Sequence, residues 1–302
     1  MTQQSTQSPA IFDRRLLQWR RRRAMALGAA TFLLDHVAAD LAERLSAVLR
    51  TFELAADLGT PTDAVRRALA DRVATVVAVA EPPLTEAMRA SPTVLADLEA
   101  LPLREGTLDL AVSALSLQFV NDLPGTLVQI RRALKPDGLF LAALVGGASL
   151  AELREAFAAA EIEIEGGLSP RVAPFVDVRD LGALLQRAGF ALPVTDVDRV
   201  IVRYASSLAL LQDLRRMGAT NVLAERRRVP LRRATLRRMM EIYGARFADP
   251  DGRVRATFEI VWLSGWAPHP SQQKPLASGS AKMRLADALK TREIPAGEKT
   301  GR

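Results

Sequence analysis

The chain has 302 residues, 49% hydrophobic and 25% charged, which supplies a sizeable core and excludes wholesale disorder. It has no cysteine and two histidines, His36 and His269, so disulfides, iron–sulfur ligation, thiolate zinc, cysteine nucleophiles and three-histidine metal sites are excluded. Lys+Arg exceeds Asp+Glu by 41 to 34, a formal +7, and only five of the basic residues are lysines.

No apolar run approaches the ~20 residues that span a bilayer. Met1 to Pro9 is polar and uncharged, and Arg20–Arg23 is not followed by a signal-type apolar core, so a cytoplasmic protein without a leader is expected. The basic excess lies in scattered clusters, Arg20–Arg23, Arg131–Arg132, Arg226–Arg228, Arg232–Arg233 and Arg237–Arg238, separated by acidic stretches. With aromatics at 5%, stacking platforms for single-stranded nucleic acid are scarce, and a protein or peripheral membrane contact is the favoured reading of the charge. Trp19 beside Arg20–Arg23 offers such a contact, set against a plain solvated basic helix start.

In chain order, residues 11–50 read as helices, with Leu34, Val37, Leu41, Leu45 and Val48 on one helical face. Phe52 to Leu58 is a short strand, Thr60 to Asp71 a helix, and Val73 to Ala80 a continuous apolar run of the kind buried on both faces of a parallel sheet. A helix near Leu84–Ala90 and a strand near Val94–Ala96 follow, then a strand at Leu108–Ser113 and a helix opened by Asp122-Leu123-Pro124. Lys135-Pro136-Asp137-Gly138 is turn chemistry before the buried strand Leu139–Val145. Beyond Gly146-Gly147, Leu150 to Ala160 is helical, and residues 161–176 form an irregular acidic and Gly/Pro cover segment. Asp177 caps a helix to Ala188, Val194 to Tyr204 is one or two strands, and two helices occupy an insertion at 206–248. Val254 to Trp262 alternates as a late strand. Strands alternating with helices predict an α/β, doubly wound, mostly parallel sheet. The expected organisation is an N-terminal helical segment at 1–50, an α/β domain at 51–267 and a polar tail at 268–302.

Three acids, Asp57, Glu81 and Asp97, stand at the carboxyl ends of the first three strands, where open α/β sheets bind ligands. An acid ending the second strand can accept hydrogen bonds from ribose hydroxyls, and one ending the third can take the exocyclic amine of adenine. Gly59 lets backbone approach a ligand closely. Single acids at such ends also serve as helix N-caps; three in register, about 16–24 residues apart, favour a nucleoside-containing cofactor.

This order resembles the class I S-adenosylmethionine-dependent methyltransferases, and within them the complex I assembly factor branch, whose mitochondrial member is an arginine hydroxylase acting on a complex I subunit. The resemblance rests on Ile11-Phe12-Asp13-Arg14, Leu115-Ser116-Leu117, Val120-Asn121-Asp122-Leu123-Pro124 and the less specific Leu134-Lys135-Pro136-Asp137-Gly138. It rests more firmly on Glu165-Gly166-Gly167-Leu168-Ser169-Pro170, Pro174-Phe175, Asp180-Leu181-Gly182, Arg187-Ala188-Gly189-Phe190, Met217-Gly218-Ala219-Thr220-Asn221, the segment 257–266, and Ser271-Gln272 followed by Pro275. It implies a seven-stranded Rossmann-like sheet, S-adenosylmethionine held by Asp57, Gly59, Glu81 and Asp97, and a protein substrate, a complex I subunit, changed by methyl transfer or arginine hydroxylation.

The family's glycine loop is broken here, because Pro61 and Asp63 stand where glycines are expected, so the nucleoside half of the site is better preserved than the methionine half. Gln118 replaces a common histidine. Gln118, Asn121, Ser169 and Arg171 are the substrate-pocket candidates, Asp122 reads as a helix cap, no catalytic residue is assigned, and no metal site is expected. A non-catalytic assembly chaperone and a small-molecule methyltransferase remain as alternatives.

Overall fold

The computed structural model describes residues 10–273 together with 287, 290 and 291. The expectations for Met1–Pro9, Pro275 and most of the polar tail therefore lie outside the described residues. Two helices open the chain, α1 (Arg14–Ala26) and α2 (Phe32–Ser46). The sheet then builds through β1 (Phe52–Leu58), α3 (Ala64–Leu69), β2 (Val73–Ala80), α4 (Glu86–Arg89), β3 (Thr93–Leu95), β4 (Leu108–Ala114), α5 (Leu123–Ala133) and β5 (Leu134–Val145). After it come α6 (Ala151–Glu165), α7 (Val178–Arg187), β6 (Ala191–Tyr204), α8 (Ser207–Arg216), α9 (Arg233–Phe247) and β7 (Val254–Trp266).

The seven strands lie in the order β3-β2-β1-β4-β5-β7-β6. The first five are parallel, and β7 runs antiparallel to both β5 and β6. Alternation within each strand feeds two core layers. Ala55, Leu110, Val112, Phe258 and Ile260 face the layer covered by α2, α3, α6, α8 and α9, whereas Ala56, Ala111, Val261 and Leu263 face α5 and α7. The N-terminal helix α2 thus belongs to the same core as the sheet.

Boundaries differ from the sequence reading in three informative places. Lys135–Gly138 is a bulge within β5 rather than a turn before it: Leu134 pairs with Leu108 and Leu139 with Leu110, and the intervening residues, including Asp137 at φ 63°, are pushed out of register. Helix α6 continues to Glu165 and stops only at Gly166, whose φ of 68° ends it, so the irregular segment starts later than expected. Helix α3 begins at Ala64, because Gly59 at φ 76° turns the chain out of β1 and the Thr60 hydroxyl is tied to the Ala114 N–H of β4 at 3.2 Å.

Contacts divide the chain into Met1–Pro268 and His269–Arg302. In the second unit, His269 Nδ1 lies 2.6 Å from the Ser271 hydroxyl. Among the described residues no helix is long and apolar enough to cross a membrane.

Candidate functional site

At the carboxyl edge of the sheet, Asp57 is the last residue but one of β1, paired in register with Ala78 of β2 and Val112 of β4. Its side chain is buried, and Oδ1 has no hydrogen-bond partner. Burial pushes the Asp57 carboxyl up to about 7, against the opposing influence of Thr60 and Arg66. Gly59 follows, its N–H donating to the Val79 carbonyl at 2.8 Å. A Cβ there would lie 2.5 Å from both Leu98 Cδ1 and the Ser116 hydroxyl, so this turn admits glycine alone. Of the loop that departs from the family pattern, Pro61 lines the cavity beyond, whereas Asp63 is not a lining residue and pairs with Arg67 at 2.5 Å.

The acids after β2 and β3 are brought together, and a cation sits between them. Arg14, the first residue of α1, forms ion pairs with Glu81, with Asp97 at 2.8 Å and with Glu99 at 2.5 Å. The Glu81 side chain is 7% exposed and that of Asp97 56%, so the first is a buried partner and the second a rim group. Asp97 also accepts from the Glu99 N–H at 2.7 Å. Arg14 and Glu99 are the members of this cluster that sequence reasoning missed. Arg14 was visible only as part of a motif, and Glu99 stands two residues past Asp97 on the same loop.

A strap holds α1 in that position. Asn121 accepts from the Phe12 N–H at 2.8 Å and donates from Nδ2 to the Phe12 carbonyl at 3.3 Å, while its own N–H reaches Glu99 at 2.9 Å. Asp13 caps α1 through the Leu16 N–H and pairs with Arg226 at 3.2 Å. Residues 11–13 hydrogen-bond across to 222–224, and Phe12, Leu17, Val222 and Leu223 form a small apolar cluster. At Gly218 a Cβ would meet Arg21 Cα at 3.3 Å, so the segment after α8 packs directly on α1.

The remaining pocket candidates separate. Gln118 lines the cavity, donates to the Leu115 carbonyl at 2.8 Å and leaves a buried, unpartnered Oε1. Asn121 is committed to the strap and is not a lining residue. Asp122 caps α5 through the Gly125 N–H at 2.9 Å. Ser169 donates to buried Glu161 at 2.7 Å, and Arg171 Nε reaches the same carboxylate at 2.7 Å while its side chain lines the cavity. Burial works to raise the Glu161 carboxyl, but the hydrogen bonds from Ser169 and Arg171 outweigh it and hold it below its ordinary value. Among the described residues, the acidic and histidine donors that cluster closely enough for a metal are the half-exposed His36 with Asp40 and Asp198 on α2 and β6.

The strand order and the acids at the strand ends are those of an open α/β fold that binds ligands at the carboxyl edge of its sheet. A methyltransferase domain model matches residues 56–142. A Bacillus halodurans structure assigned as a methyltransferase superposes with a TM-score of 0.54 at 17% identity, covering 76% of this chain and 99% of its own, a likeness of fold. Arginine-hydroxylase NDUFAF5, mitochondrial, of Danio rerio is 38% identical over 296 residues, 95% of this chain and 92% of the relative. A malonyl-acyl-carrier-protein O-methyltransferase of Halorhodospira halophila is 33% identical over 257 residues, 82% of this chain and 85% of the relative. The chain belongs to the family of the NDUFAF5 arginine-hydroxylases.

Proposed function

We propose that the chain binds S-adenosylmethionine at the carboxyl edge of the sheet and modifies a protein substrate, a subunit of respiratory complex I, by methyl transfer or by arginine hydroxylation. The observation that carries this reading is identity of 38% to an arginine-hydroxylase across 95% of the chain. The residues present fit the cofactor. The orphaned Asp57 Oδ1 is an acceptor for its ammonium, and Gly59 lines the cavity with its backbone alone. Glu81 would take the ribose hydroxyls and Asp97 the adenine amine, with Arg14 sharing or releasing these carboxylates when the cofactor enters.

When bound, the sulfonium supplies a methyl group to a nucleophile aligned with it. The protein's part is then to bind, orient and exclude water, and a group such as Gln118 at the cavity wall positions the acceptor without entering a covalent step. Arg171, fixed by Glu161, holds the cover segment against the same wall. Trp19, 55% exposed on α1, offers a peripheral docking point toward a membrane-associated partner in the cytoplasm.

Calorimetry with S-adenosylmethionine and its demethylated product tests the cofactor reading, with saturable binding expected and about a tenfold loss in Glu81→Ala. No heat at millimolar ligand would sink it. Mass spectrometry of the complex I subunits from a deletion strain separates the two chemistries: loss of a methyl, loss of a hydroxyl, or no change, the last of which refutes modification.

A further inference from the structure

Behind Gly59 lies a cavity of about 510 Å³, within the roughly 300–1,000 Å³ of small-molecule sites. Six arginines line it, Arg20, Arg21 and Arg23 from α1, Arg171 from the cover segment, and Arg215 and Arg216 from the end of α8. The one carboxylate among the lining residues is Glu81, and Arg14 holds it.

Three of these cations are already held or are open to solvent. Arg171 is bound by Glu161, Arg216 donates to the Gly28 carbonyl at 2.7 Å, and Arg215 is exposed. Arg20, Arg21 and Arg23 have no ion-pair partner among the described residues. The Nε atoms of Arg20 and Arg23 are buried without a hydrogen-bond partner. Arg21 has only the face of Phe119, 5.9 Å from its guanidinium, and Arg23 that of Trp19 at 5.0 Å. Asp13, the acid that influences Arg20, is already committed to Arg226. Burial and the neighbouring arginines push Arg20 and Arg21 down to about 10, so both stay cationic at neutral pH.

Half-buried cations beside other arginines and without an acid of their own are costly unless a ligand supplies the anion. Most of the rest of the wall is apolar, including Leu34, Phe157, Leu214 and Phe258, with Gln118, Asn221 and several threonines among it. We propose that this cavity is a binding site for a small amphipathic anion, a carboxylate or phosphate on an apolar body. Arg20, Arg21 and Arg23 hold the charged group, and Leu34, Phe157 and Leu214 cover the body. Gly59, Glu81 and Gln118 line the same cavity, so the anion would lie beside the cofactor and acceptor positions proposed above.

The test is calorimetry of the full chain with octanoate, octyl phosphate, octyl glucoside and octyltrimethylammonium, each with and without saturating S-adenosylhomocysteine. Both anions should bind, at least about tenfold more tightly than the neutral or cationic amphiphile, and should still bind in the saturated protein. Their relative affinities distinguish a carboxylate ligand from a phosphate one. Arg21→Gln should weaken the anions by about tenfold or more and leave octyl glucoside unchanged, and Arg21→Lys should restore part of the loss. Equal affinity for the neutral amphiphile overturns the proposal. So does displacement by S-adenosylhomocysteine, which would assign the arginines to the cofactor's own carboxylate. If circular dichroism shows Arg21→Gln unfolded, Arg20→Gln and a salt series on the native protein carry the test, and affinity independent of salt overturns it. Anion binding without any binding of S-adenosylhomocysteine would support this site and count against the cofactor reading alone.

Discussion

Arg14, at the start of α1, is ion-paired to Glu81, at the end of β2, and this contact fastens the N-terminal helix to the edge of the sheet where a nucleoside would lie. Because the Glu81 side chain is 7% exposed and that of Arg14 19%, the pair is shielded enough to be worth more than a surface contact. A double-mutant cycle of Arg14→Gln and Glu81→Gln, read by urea denaturation, should give a coupling of about 1–3 kcal/mol. Additive effects would mean that the two side chains act independently.

Asp57 should make stability depend on pH in the opposite sense to a salt-bridged acid. Its folded value is raised from 3.8 to about 7, so between those values the folded state holds a proton that the unfolded chain has released. Stability therefore falls as pH rises across that window. Urea midpoints measured between about pH 4 and pH 7 should decline less steeply in Asp57→Asn, and an unchanged slope would remove Asp57 as the cause.

Gly59→Ala tests the turn after β1. The positive φ and the 2.5 Å approach of a Cβ to Leu98 and Ser116 should together cost roughly 1–3 kcal/mol. Thermal denaturation reads the loss, and cofactor affinity should fall with it, because Gly59 itself lines the cavity.

Glu161 anchors the cover segment through Ser169 and Arg171. Glu161→Ala leaves Arg171 without its carboxylate, and a loss of about 3 kcal/mol or more is expected, with faster proteolysis within residues 166–176. Since the Glu161 carboxyl is held below its ordinary 4.5, the stability it contributes is present above that value and is lost as pH falls through its lower folded value. Acid unfolding of the native protein should therefore begin at a higher stability than that of Glu161→Gln and converge with it at low pH.

Releasing the strap is a fifth test. Asn121→Ala removes both hydrogen bonds to Phe12, so the Phe12 amide should exchange faster while amides of β4 and β5 keep their protection. Equal protection at Phe12 would show that the apolar cluster with Leu223 suffices to hold the segment.

Local pattern determined the elements of this protein. The apolar run Val73–Ala80 is β2 to the residue, Phe52–Leu58 is β1, and the alternation after Val254 is the strand that feeds both core layers, because strand period and two-sided burial are written in neighbouring residues. The same logic placed Asp57, Gly59, Glu81 and Asp97 at one edge, since parallel βα units return every strand end to the same side. What neighbouring residues cannot encode is which distant charges meet. Only the tertiary structure put Arg14 among Glu81, Asp97 and Glu99, turned Asn121 and Ser169 into tethers, and paired Asp63 outward with Arg67. It also gathered arginines from α1 and α8 around one largely apolar cavity. Such encounters depend on how α1 and the segment after α8 cross the sheet, and packing alone decides that.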